Sequence, residues 1–277
     1  MIGNPRQSPL YPGANDRRSV GSVGRLILQS VNWGIVVGFL IVVGFFGWVL
    51  WQGQPNTAGL GTLGFVVVGW VFSLCLHEFG HAATAVLGGD TSPSTIRYLS
   101  FNPLHYVNPV MSIIMPIAFL LLGGIALPGG AVYLRRDLIR NRLWQSAVSL
   151  AGPLANLLFF LGLALVWRVG LLDGHDQLAA AVAVLAFFQV AAVVLNLLPV
   201  PPLDGFGILT PWLPRELAQL ALSASLYAFL LLFALIFFVP QASAAYFGVV
   251  FAIMGAAGID PVMAQIGINQ LFFFRGR

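Results

Sequence analysis

Lysine does not occur in the 277 residues, and cysteine occurs once. All 13 basic residues are therefore arginine, and Cys75 can form neither an internal disulfide nor a thiolate metal cluster. Cys75 reads as a small apolar packing residue on a helix. Charge of either sign is scarce: 8% of the residues carry it, against roughly 25% in a soluble globule. With 58% hydrophobic residues and a mean hydropathy of +0.90, the composition excludes a soluble domain and indicates an integral membrane protein. A net charge of +4 spread this thinly reads as an orientation signal facing anionic headgroups, and no nucleic acid is expected as a partner. Nothing at the N-terminus reads as a cleavable signal peptide, because the first apolar run is too long for an h-region and a polar segment precedes it.

Six apolar runs are read as membrane spans: 31–51, 60–86, 144–168, 178–198, 217–239 and the shorter 244–259. The expected architecture is all-α, with about six transmembrane helices in one domain over 26–260 and a core over 60–210. Residues 1–25 and 261–277 are expected as cytoplasmic tails, since arginines cluster at both ends. A seventh apolar run, 107–127, precedes Arg135, Arg136, Arg140 and Arg142, which belong on the cytoplasmic side. A full crossing would place that cluster outside. Pro109, Pro116, Gly123, Gly124 and Pro128 supply the breaks of a segment that dips in and returns on the same side.

Against this apolar background, His77-Glu78-Phe79-Gly80-His81 stands out near the end of the second span. Residues four apart on a helix share a face, so His77 and His81 can turn ring nitrogens toward one ion. Glu78 is offset by one step of rotation, beside the ion without ligating it, where a general base would act on water. Three ionisable groups in five residues of a membrane span are costly unless they are paired, metal-bound or facing water. Two histidines leave a catalytic zinc one protein ligand short of three. Asp204, in Pro201-Pro202-Leu203-Asp204-Gly205, ends an apolar run at a depth matching the histidines. Read alone, it is ordinarily a headgroup-level residue or a helix stop; taken with the histidines, it is the candidate third ligand. His105 reads as a loop residue, and His175 lies on an outer turn too far away to ligate.

The pairing of His77–His81 with the run from Asn196 through Pro199 and Pro202 to Asp204-Gly205 resembles the site-2 protease family of intramembrane zinc metalloproteases. Ala151-Gly152-Pro153 stands where that family carries its Ala-Gly-Pro segment. The resemblance runs from about Phe72 to Gly205 and is nearest to the compact branch without a PDZ insert. It implies one zinc per chain held by His77, His81 and Asp204, with Glu78 as general base and acid. Asn196 would position substrate or stabilise the oxyanion. Asn156, with Gly152 and Pro153, would serve helix packing. Residues 123–133 stand where relatives carry a β-hairpin or edge strand for the substrate, between the second and third spans. The implied activity is hydrolysis of peptide bonds within or beside the spans of membrane protein substrates. The implied setting is a multi-pass protein of the plasma membrane with both termini and the nearer face of the site cytoplasmic. Homo-oligomerisation is compatible with this reading. The competing class is a membrane metal-binding protein without proteolysis, a transporter or a pseudoprotease regulator.

Overall fold

The computed structural model describes residues 20–105 and 135–275. Among the described residues the chain forms eleven α-helices and no strand. Their sequence explains this: the long apolar runs lie in hydrocarbon, where backbone N–H and C=O groups find partners only within a helix or a closed barrel. The expected re-entrant segment at 107–127 and the edge-strand position at 123–133 lie outside the described residues.

Four helices are each long and apolar enough to cross a bilayer: α2 (Trp33–Trp51), α3 (Ala58–Gly88), α5 (Arg142–Arg168) and α6 (Asp176–Asn196). The protein is thus an all-α integral membrane protein. Between these lie α1 (Val20–Ser30), before α2, and the short α4 (Pro93–Tyr98), after α3. Beyond α6 come α7 (Asp204–Leu209), α8 (Arg215–Ser223), α9 (Ser225–Phe238), α10 (Pro240–Ala256) and α11 (Pro261–Leu271). At 31 residues, α3 is about 46 Å long and overruns the hydrocarbon core. It ends at Gly89, whose φ of +116° favours glycine and lets the chain reverse; there Gly89 N and Asp90 N donate to Val86 O and Ala85 O.

The centre of the bundle is α6, whose residues from Leu178 to Val190 are all buried. It packs against α3, α5, α10 and α11. The most extensive contact joins α3 to α5, which run antiparallel with Ala151 O against Gly80 and Val148 O against His81. Small residues on that seam let two backbones approach, which substitutes for a hydrophobic driving force that lipid does not supply.

Both stretches set apart as tails carry helices. The boundary set at residue 25 falls inside α1, whose Val23 is buried in a cluster with Cys75, Ala82, Val86 and Tyr98. The tail expected over 261–277 begins as α11, which packs on α6 with Gly267 against Ala180 O. The cause is a 115° turn between α10 and α11 at Gly258, whose φ is +85°. Arg168 donates to Ala256 O and Ala257 O there, tying the turn to the end of α5. Gln270 then meets Thr62, and Phe273 lies against Gly59, at the start of α3. Asn32, by contrast, bonds Ser100 beyond the other end of α3. The first and last described helices therefore lie toward opposite ends of α3. The run 217–239 bends by 62° between α8 and α9, and with each bent pair taken as one span the described helices give up to six, the number expected.

Candidate metal centre

His77 and His81 stand one turn apart on α3, and both are buried, as is Glu78 between them. The third group arrives from a distant part of the chain. After Asn196 ends α6, Pro199, Pro201 and Pro202 deny the backbone the N–H groups a helix needs, and the chain turns through Leu203 N–H to Val200 O at 2.8 Å. Asp204 then starts α7. Gly205 sits so close to Leu197 and Leu198 that a Cβ there would be 2.3 and 2.4 Å from their carbonyl oxygens. The helix is fixed onto α5 by Ser146 Oγ, which donates to Ile208 O at 2.7 Å and accepts from Trp212 Nε1 at 2.9 Å.

This construction brings Asp204 between the histidines. His77 Nε2 is 3.2 Å from Asp204 Oδ2, His81 Nε2 is 3.3 Å from Asp204 Oδ1, and the two Nε2 atoms are 3.0 Å apart. Ligands at about 2.0–2.1 Å around a tetrahedral zinc stand about 3.3 Å from one another; one donor atom from each of the three residues lies within 4.8 Å of the other two, close enough to share one ion. Two imidazole nitrogens and a carboxylate form the donor set of a catalytic zinc site, which keeps its fourth position for water or substrate. These three residues are the only such group of His, Cys, Asp or Glu among the described residues.

One of the ligands, His81, is also held from behind. His81 Nδ1 lies 2.6 Å from Val148 O and donates to it, which directs Nε2 at the shared centre. That carbonyl lies one turn before Pro153, which lacks the N–H that would bond Ser149 O, so the α5 ladder is open at this level. The face of α5 toward the centre is Gly152. A Cβ at this position would be 2.3 Å from His81 Nε2 and 2.6 Å from His77 Nε2, inside the volume a ligated ion and its donors require. Gly152 therefore has no side chain because the centre takes its place.

Of the remaining candidates, Asn196 is buried as the last residue of α6 and lies outside the three-ligand group. His105 is bound by Ser100 Oγ at 2.8 Å and by Asn102 at 3.2 Å, a loop residue as expected. His175 stacks on Trp51 with ring centroids 3.4 Å apart, at the turn before α6 and the far end of the bundle from the centre. Sequence reasoning missed the Val148 carbonyl, which no residue type announces, and took Gly152 for helix packing alone. The signal for Gly152 was its place beside Pro153, a side-chain-free residue next to a helix breaker at the level of the histidines.

Two mycobacterial proteins, from Mycolicibacterium smegmatis and Mycobacterium tuberculosis, are 37% and 38% identical to the chain over 84% of it and 89% of their own length. A protein of Bacillus subtilis is 29% identical over 66% of this chain and 84% of its own. All three carry the name “Putative zinc metalloprotease”, as Rip2 in the mycobacteria and YwhC in the Bacillus. No protein-family model matches the chain. No solved structure matches it.

Proposed function

The chain belongs to the site-2 protease family of zinc metalloproteases, and from that premise we propose that it is a zinc-dependent intramembrane endopeptidase. The observation that carries the reading is the meeting of His77 and His81, on the membrane-spanning α3, with Asp204 at the start of the short α7, and Glu78 buried between the two histidines. The substrates are membrane proteins cleaved within or next to a transmembrane segment. The setting is a plasma membrane, with the site nearer the cytoplasmic face.

In this reading His77, His81 and Asp204 hold one zinc. When bound, zinc supplies the Lewis acidity that brings a water's pKa near neutrality and polarises a carbonyl. Glu78 takes the proton as the water oxygen bonds to the scissile carbonyl carbon. Asn196 donates a hydrogen bond to the carbonyl oxygen as charge develops on it. The C–N bond then breaks, and Glu78 returns the proton to the leaving nitrogen. Burial of the centre excludes bulk water and strengthens each of these interactions, and a helical substrate must unwind locally to present its carbonyl.

The test co-expresses the wild type, Glu78→Gln and Asp204→Ala with a panel of single-span membrane proteins and follows their fragments. Asp204→Ala is expected to lose both zinc and cleavage, while Glu78→Gln keeps zinc and loses cleavage. Fragments that appear equally with Glu78→Gln would remove Glu78 from the chemistry and with it the proposed mechanism.

A further inference from the structure

One helical turn outward from the metal centre, α3, α5 and α6 carry a second set of buried polar residues. Ser73 stands four residues before His77 and is 2% exposed; Gln189 on α6 is fully enclosed, and Asn156 on α5 is 5% exposed. Gln189 Nε2 donates to Ser73 Oγ at 3.0 Å, and Ser73 Oγ donates to Trp70 O at 2.8 Å. Asn156 reaches the same level through helix register. With Val148 opposite His81 and Gly152 opposite His77 and His81 on antiparallel helices, the next turn of α5 brings Asn156 opposite the stretch from Ser73 to His77.

These residues offer more acceptors than the protein fills. Asn156 Oδ1 and Gln189 Oε1 are buried without a hydrogen-bond partner. They are two of three such side-chain atoms among the described residues, the third being Gln177 Oε1 in the first turn of α6. A buried amide carbonyl left unpaired is costly anywhere, and more so where no bulk solvent can reach it. Ser73 Oγ donates once and accepts once, which leaves it a free lone pair. Trp70, Phe160 and Leu185, each at most 5% exposed, belong to the apolar core that surrounds this level.

The occupant must therefore be small, neutral and a donor of two hydrogen bonds. A monovalent cation meets too few oxygens here and has no carboxylate at this level. From this geometry we infer that Ser73, Asn156 and Gln189 enclose a buried water site one turn outward of the metal centre. The two amide carbonyls accept its O–H bonds. The two amide carbonyls use both of the water's donors, and internal water commonly bonds groups that would otherwise be unsatisfied in this way. Its placement beside His77 gives it a use: hydrolysis consumes one water per bond cleaved, and this site stores water on the side of the centre that faces the apolar interior. That use rests on the protease reading; the site does not.

Thermal unfolding of the zinc-loaded, detergent-purified chain is the test, with Asn156→Leu, Gln189→Leu and the double variant. A hydrated site predicts that each single change lowers the midpoint by several degrees, and that the double change falls short of their sum, since both dismantle one unit. A midpoint raised by Asn156→Leu, or shifts that simply add, would mean dry and separate carbonyls and would overturn the inference. A map of the wild type at high resolution decides independently of whether the variants fold. Density within hydrogen-bond reach of Asn156 Oδ1 and Gln189 Oε1 is expected. An empty site there, or a cation ringed by five or more oxygens, refutes it. Zinc content and substrate cleavage are read on the same samples, so loss of the protease reading shows in those and leaves the unfolding cycle to stand or fall alone.

Discussion

Replacing Gly152 with alanine adds one methyl group, and the structure specifies where it goes. The new carbon would be 2.3 Å from His81 Nε2 and 2.6 Å from His77 Nε2, whereas ordinary contacts begin near 3.4 Å. The rings must retreat by about 1 Å, several times the tolerance of about 0.2 Å in a zinc–ligand distance. They have little freedom to do so, because His81 is fixed behind by Val148 O and both rings face Asp204. Helix α5 cannot withdraw instead without opening the seam where Gly80 meets Ala151 O. Loss of a group that merely orients a ligand costs 10- to 100-fold in metal affinity, and displacing the donors belongs at or beyond the upper end. The expected loss is thus at least about 100-fold, or about 2.8 kcal/mol. Competition with a chelator on detergent-purified protein reads it, with circular dichroism to confirm helicity. Gly162→Ala is the control on the same helix: nothing lies within 4 Å of its added carbon, so zinc affinity should stay and helix stability rise slightly. Wild-type zinc affinity in Gly152→Ala would refute the argument that this backbone position shapes the centre.

The remaining expectations follow from the same contacts. His81→Ala should bind less than a tenth of the wild-type zinc in metal analysis, while Glu78→Gln should retain a full complement. Gly205→Ala would bring a methyl within 2.3 Å of Leu197 O; overpacking of this kind typically costs about 1–3 kcal/mol and should appear as a lower unfolding midpoint and weaker zinc retention. Asp90→Ala removes the acceptor of Ser92 N–H, Thr95 O–H and Arg135 N–H, and should speed proteolysis near Arg135 without altering zinc content when the purified protein is digested briefly.

The parts of this fold that were legible in the sequence are those that depend on period and composition. The i, i+4 spacing of His77 and His81 fixes a shared face on any helix, and the apolar runs behind α2, α3, α5 and α6 allow little else in hydrocarbon. The site's third group was legible only in company: alone, Asp204 reads as a headgroup-level residue or a helix stop, and its depth matching that of His77 and His81 is what singles it out. Direction was not legible. Hydropathy counts apolar residues but cannot say whether a run is straight, so the bends at Ala224 and at Gly258 escaped it, and with the second the return of the chain along α6. Backbone chemistry was also hidden, since the Val148 carbonyl that orients His81 is invisible to any reading of side chains.

The centre poses two demands that pull apart, because a metal-assisted hydrolysis needs polar groups and water while a membrane interior penalises both. The fold answers by concentrating small residues where the polar groups meet. Gly80 and Ala151 bring α3 and α5 to backbone distance, Gly152 clears the space in front of the histidines, and Gly205 and Gly207 seat the helix of Asp204 against its neighbours. Larger side chains at these positions would separate the helices and leave two histidines and two carboxylates unpaired among apolar groups, which is the expensive arrangement. Close packing therefore does the work of solvation here: each ionisable side chain finds its partners in the protein because glycine lets the chain come near enough. On this view the centre and the α3–α5 seam form one unit, and a substitution that opens the seam is felt first as a loss of metal and only later as a loss of helix.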